Sequence, residues 1–137
     1  MRLTRWAYFA LPMWLLFSSA AASAGDYSVA YAIDANGKTD KGIVDTCKYI
    51  DVCEITSADL GVTLSLGFTR PDHDSIELEI RGPPGCCYSA DAKLTFYLGT
   101  RRGLQRVPIY VGHQRKGNEF VRNERFGVVY LEFSNLR

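Results

Sequence analysis

Apolar and polar positions alternate in twos along most of the chain after Gly25. Tyr27, Val29, Tyr31 and Ile33 share one face, with Ser28, Ala30 and Ala32 between them. Val62, Leu64, Leu66 and Phe68 repeat the pattern, as do Ile76, Leu78 and Ile80 around Glu77 and Glu79. Leu94, Phe96 and Leu98 form a further stripe, then Val107, Ile109 and Val111, then Val129, Leu131 and Phe133. Period-two alternation marks a strand with one buried face. Turn chemistry separates the stripes: Asn36-Gly37, Arg70-Pro-Asp-His-Asp74, Arg81-Gly-Pro-Pro-Gly-Cys-Cys-Tyr88 and Thr100-Arg-Arg-Gly103. Thr100–Gly103 reads as a hairpin loop, Lys38–Gly42 as polar loop, and Ile43–Ile55 as one or two short strands or an ordered loop held by its cysteines. Pro108 lacks an amide proton, so its strand is expected at a sheet edge. Gly112–Arg125 reads as a long polar loop, with room for a short strand at Phe120-Val121.

The pattern predicts an all-β fold of about seven strands and no helix longer than two turns. Many short strands with regular turn signals point to a β-sandwich, with a small β-barrel as the alternative. Both tryptophans lie before residue 25, so the tryptophan expected between the cysteines of an antibody-like domain is absent. There is no internal repeat and no low-complexity linker.

The first 24 residues break the pattern. Arg2 and Arg5 precede an apolar run from Trp6 to Phe17, and the segment ends in Ala22-Ser23-Ala24. A positive start, a short apolar stretch and an A-x-A ending make a secretory signal peptide over residues 1–24. The run falls short of the roughly 20 residues of a membrane span. Cleavage leaves residues 25–137 as a single all-β domain of a secreted or periplasmic protein, long enough to enclose a core.

That compartment decides the role of Cys47, Cys53, Cys86 and Cys87. An even count in an oxidising space reads as disulfides. A bridge between the adjacent Cys86 and Cys87 requires a small strained ring, so Cys47 and Cys53 are each expected to reach one of that pair. Loops of roughly 35–40 residues would then be closed, worth about 4 kcal/mol for the first bridge. A four-sulfur zinc site fits poorly, because its ligands usually come in pairs two to four residues apart.

From Gly25 to Asp91 there are twelve acids and five bases; from Ala92 onward there are three acids and nine bases. Interleaving of strands from the two halves is expected to mix these charges.

Candidate chemistry is thin. Gly37-Lys38-Thr39 lacks the upstream glycine of a phosphate loop, since position 32 is alanine. Asp34, Asn36, Asp40 and Asp45 offer oxygens, but Lys38 and Thr39 spoil the EF-hand spacing, so a turn is expected there. Asp72-His73-Asp74 reads as a solvated turn, and Glu77 with Glu79 as the outer face of a strand. No nucleophile elbow accompanies the two histidines, and adjacent cysteines are not a Cys-x-x-Cys redox pair. No cofactor, metal or nucleic acid is expected.

The basic residues of the second half remain: Arg101, Arg102, Arg106, His113, Arg115, Lys116, Arg122 and Arg125. With Tyr110 and Phe120 nearby, they suit an anionic glycan, a lipid headgroup or an acidic protein. The reading is a non-enzymatic binding module. A small envelope hydrolase using Asp72, His73, Glu77 or Asp91 is the alternative, and a structural envelope component a third.

Overall fold

The computed structural model describes residues 25–114 and 120–136. The signal peptide expected over residues 1–24 lies outside the described residues. Eight strands occur in chain order: β1 (Tyr27–Ala35), β2 (Lys38–Cys47), β3 (Cys53–Ser57), β4 (Val62–Phe68), β5 (Ser75–Arg81), β6 (Thr95–Gly99), β7 (Gln105–Gln114) and β8 (Phe120–Ser134). They form two antiparallel four-stranded sheets, one ordered β2-β1-β8-β7 and the other β3-β4-β5-β6. The chain is all-β, as its alternation predicts. The strands follow an up-and-down circuit in which β8 returns to pair with β1. Only two neighbours in that circuit, β2/β3 and β6/β7, are joined without a ladder. The architecture is thus a barrel-like order flattened into a sandwich.

The alternating stripes become the interior. Tyr27, Val29 and Ile33 of β1 face Val62, Leu64 and Leu66 of β4, and Ile76, Leu78 and Ile80 of β5, across one buried cluster. Ile109, Val129 and Leu131 complete it from β7 and β8. Burying side chains of this size contributes about 1.5–3 kcal/mol each. The intervening Thr63, Ser65, Glu77 and Glu79 face outward. The β1–β2 connection is a two-residue turn in which Asn36 (φ 53°) and Gly37 (φ 73°) are both left-handed. That geometry matches the twist of a hairpin and favours Asn-Gly. Pro108 does sit on an edge strand, since β7 pairs along its length only with β8.

Three expectations are corrected. Lys38–Gly42 is not a loop but the first half of β2. It lacks an apolar stripe because β2 is an edge strand whose backbone is held by β1, with Gly42 opposite Tyr31. A Cβ at Gly42 would lie 3.0 Å from the Tyr31 hydroxyl, so the ring covers the glycine in place of a side chain. Gly112–Arg125 is likewise not a free loop: β7 continues to Gln114, where it pairs with Phe120 of β8. Finally, Thr100–Gly103 is no hairpin loop. It carries the chain from one sheet to the other, and β6 and β7 do not pair.

The disulfide pairing is also corrected. Cys47 bonds Cys53, and Cys86 bonds its neighbour Cys87. Cys47 ends β2 and Cys53 begins β3, so a short corner brings their Cα atoms to 5.3 Å with both side chains turned inward. This bridge clips the two sheets together at one side of the sandwich. It closes a much smaller loop than expected, worth about 2–3 kcal/mol on the chain-entropy model. Cys86 and Cys87 follow β5 on the opposite side, next to β7, and bond each other. They are joined by a cis peptide bond, and Cys87 is fully buried in the core. Gly82 is needed beside them, because a Cβ there would sit 2.8 Å from the Cys87 sulfur.

Leu78→Ala, in the middle of β5, should cost about 2–5 kcal/mol in denaturant unfolding. Ile43→Ala, on the exposed face of β2, should stay within about 0.5 kcal/mol. Tryptic digestion without reduction should release the Gly82–Lys93 peptide alone and lighter by two hydrogens. A peptide linking either of Cys47 and Cys53 to that segment would contradict the pairing.

Candidate binding surfaces

The β1 ladder on β8 ends at Ala35 and Gly127. The β7–β8 pair continues from Tyr110/Arg125 to Gln114/Phe120. It therefore forms a two-stranded arm about 15 Å long beyond the rest of its sheet, at about 3.3 Å per residue. Register shifts between Ile109 and Tyr110 and between Tyr110 and Gly112 mark its base. Such bulges bend a ladder and re-aim the residues beyond them. The loop that carries the adjacent cysteines braces the same place. Tyr88 N–H donates to the Tyr110 carbonyl at 3.0 Å, Tyr110 N–H returns the bond at 2.9 Å, and Gly112 N–H donates to the Gly85 carbonyl at 2.8 Å. Gly85 adopts φ 84°, a conformation that favours glycine.

Arg125 lies at the base of this arm, its guanidinium 5.9 Å from the centre of the Tyr110 ring. It also lines a concavity of about 400 Å³ together with Phe126, the Asn36-Gly37 turn, Lys38 and Asp34. Asp34 accepts a hydrogen bond from the Thr39 hydroxyl within the same hairpin. Lys38 and Arg125 thus bring two cations to one open hollow that Asp34 also lines. His113 belongs to β7 and Arg122 to β8, where it pairs in register with Gly112. Arg115 and Lys116 lie outside the described residues.

The other three basic candidates are elsewhere. Arg101 and Arg102 occupy the crossing between β6 and β7, at the opposite end of β7 from the arm. Arg101 donates to Asp74 at 3.0 Å. Arg106 sits near the start of β7, opposite Tyr130. The six that lie among the described residues therefore do not gather into one patch.

The carboxylate and histidine candidates do not converge either. Asp34 and Asn36 stand at one end of the β1–β2 hairpin, while Asp45 lies toward the far end of β2. His73 stacks flat on Tyr49 with ring centres 3.6 Å apart. Asp72 accepts from the Asp74 amide at 3.1 Å. Asp72, His73 and Asp74 form the β4–β5 turn, whereas His113 lies toward the far end of β7. Asp91 sits in a turn capped by the Ser89 hydroxyl. Glu77 and Glu79 share the outer face of their sheet, beside a shallow groove of about 220 Å³ with Val52, Ser65 and Gly67. Among the described residues, no group of three or more histidines, cysteines or carboxylates could hold a metal ion. No described helix is long and apolar enough to cross a membrane.

Comparison with known proteins finds no matching family model, curated protein or solved structure.

An aromatic cluster lies at the end of the sandwich away from the arm. Tyr27 stacks on Tyr49 at 5.6 Å and meets Phe68 edge-on at 5.1 Å. The Tyr27 hydroxyl is buried and has no hydrogen-bond partner among the described residues. Burial, reinforced by Tyr49 and Asp26, pushes its pKa from 10.0 to about 12. Between those values the unfolded chain has given up this proton and the folded chain has not, so stability falls as pH rises. Wild type should lose about 2–3 kcal/mol relative to Tyr27→Phe across that interval in pH-resolved unfolding. At neutral pH, Tyr27→Phe should be neutral or stabilising, because the lost hydroxyl had no partner.

Proposed function

We propose that this protein is a secreted or periplasmic, non-enzymatic interaction module that holds an anionic partner through the β7–β8 arm. The observation that carries this reading is the arm itself. A braced pair of strands runs past its sheet and bears Arg122 and Arg125, with His113 also on it. Arg115 and Lys116 lie between its strands in the sequence. Rigid elements that present cations beyond a folded body suit a polyanionic glycan, a lipid headgroup or an acidic protein surface. The dispersal of the carboxylates and histidines argues against the hydrolase reading. The leader pattern of residues 1–24 and two disulfides fit an oxidising compartment outside the cytoplasm.

This reading narrows the eight basic candidates. Arg101, Arg102 and Arg106 precede the arm, at the start of β7 and before it, and are left out of the proposed site. An Arg122→Glu/Arg125→Glu variant should elute from heparin at clearly lower salt than wild type. It should also bind anionic vesicles more weakly, by about 1 kcal/mol per cation removed. Arg101→Glu/Arg102→Glu should change little in either assay. Unchanged retention of the arm variant across a salt gradient would exclude the reading.

A further inference from the structure

We propose that copies of this chain associate head to tail through their two lateral edges, the β2–β3 corner of one copy docking on the β6–β7 corner of the next. This goes beyond anion binding and does not use the arm.

The sandwich has two sides on which no ladder joins the sheets. One is flanked by β2 and β3, the other by β7 and β6. Six large apolar side chains stay exposed among the described residues, and all belong to these sides. Ile43 (75% exposed), Ile50 (90%) and Val52 (63%) lie on β2 or the corner after it. Leu94 (53%) directly precedes β6, Tyr97 (70%) lies on it, and Leu104 (67%) directly precedes β7. None falls on the central strands β1, β4, β5 or β8. Isolated exposed apolar residues are ordinary; two groups confined to opposite edges of a small domain mark interaction surfaces.

The charges of the two edges are opposite. The first corner carries Asp45, Asp51 and Glu54 against Lys48. The second carries Arg101, Arg102 and Arg106 and no acid between Gly99 and Arg106. Glu54 pairs with Arg81 and Arg101 with Asp74 within the molecule. Asp45 and Asp51 on one side, and Arg102 and Arg106 on the other, make no ion pair among the described residues. Like edges repel, whereas unlike edges offer opposite charge around apolar centres. Steering of this kind selects orientation more than affinity. Strand direction fits as well. β3 and β6 bound the same sheet and run in opposite directions, so a lateral repeat places antiparallel strands side by side. Because the two surfaces differ, the contact is heterologous and propagates instead of closing as a two-fold dimer.

Sedimentation velocity of the purified exported protein over a range of concentrations tests this. The expected result is a weight-average mass that climbs with concentration beyond that of a dimer and falls back in high salt. Ile50→Lys/Asp51→Lys and Arg102→Glu/Leu104→Glu each block one edge at exposed positions. Each variant alone should lose association while keeping the wild-type unfolding midpoint. Their equimolar mixture should associate as far as a one-to-one dimer and no further, since it offers one intact edge of each kind and both outer edges of that dimer are blocked. A wild type that stays monomeric throughout, as it would if these edges serve another partner, overturns the proposal. So does either variant associating alone as wild type does, which would indicate a two-fold contact between like edges.

Discussion

The two sheets of this protein pair with themselves and not with each other. The contact between their inner faces keeps them together, and the rest of the structure depends on it. Ile33, Leu64, Leu78 and Leu131 are all fully buried there. Because that contact is apolar and non-directional, it sets the spacing of the layers but leaves the two sides open. Each side is finished differently. A disulfide clips the β2–β3 corner. On the other side, the segment after β5 swings across to pair with β7 and places Cys87 in the core. The second closure also steadies the base of the arm, so the element that seals the core supports the proposed binding element.

The parts of the fold legible in the sequence are those in which one face of a strand meets the core. Burial imposes the two-residue period on β1, β4, β5, β7 and β8, and the period is visible without structure. The first half of β2 escapes it because it has no buried stripe to maintain. It and the arm are held by backbone ladders, which any side chain satisfies. The Asn36-Gly37 turn is the available sign that a strand should return immediately after it.

The cysteines and arginines are hard to place for a different reason. Separation in sequence is a poor guide to separation in space. In an up-and-down circuit, the end of one strand adjoins the start of the next, so Cys47 meets Cys53 across a single corner. Cys86 lies on the far side of the sandwich, although all four cysteines fall in the first two-thirds of the chain. A strand also parts residues that the sequence places near one another: the first five residues of β7, Gln105 to Ile109, separate Arg102 from the base of the arm at Tyr110. The candidate site was legible as a set of charges but not as a place.

The pairing of β1 with β8 joins the first strand to the last, and Asn135 donates to the Ser28 hydroxyl across 107 positions of sequence. Ribosomes release the amino terminus first. Until the final strand emerges, β1 has a partner on one side only, and its row of Tyr27, Val29 and Ile33 lacks half its sheet. Contacts of such long sequence separation also form slowly. A growing chain of this topology therefore spends its synthesis with an open, apolar, strand-ready border, and would rely on whatever shelters unfinished chains until β8 arrives.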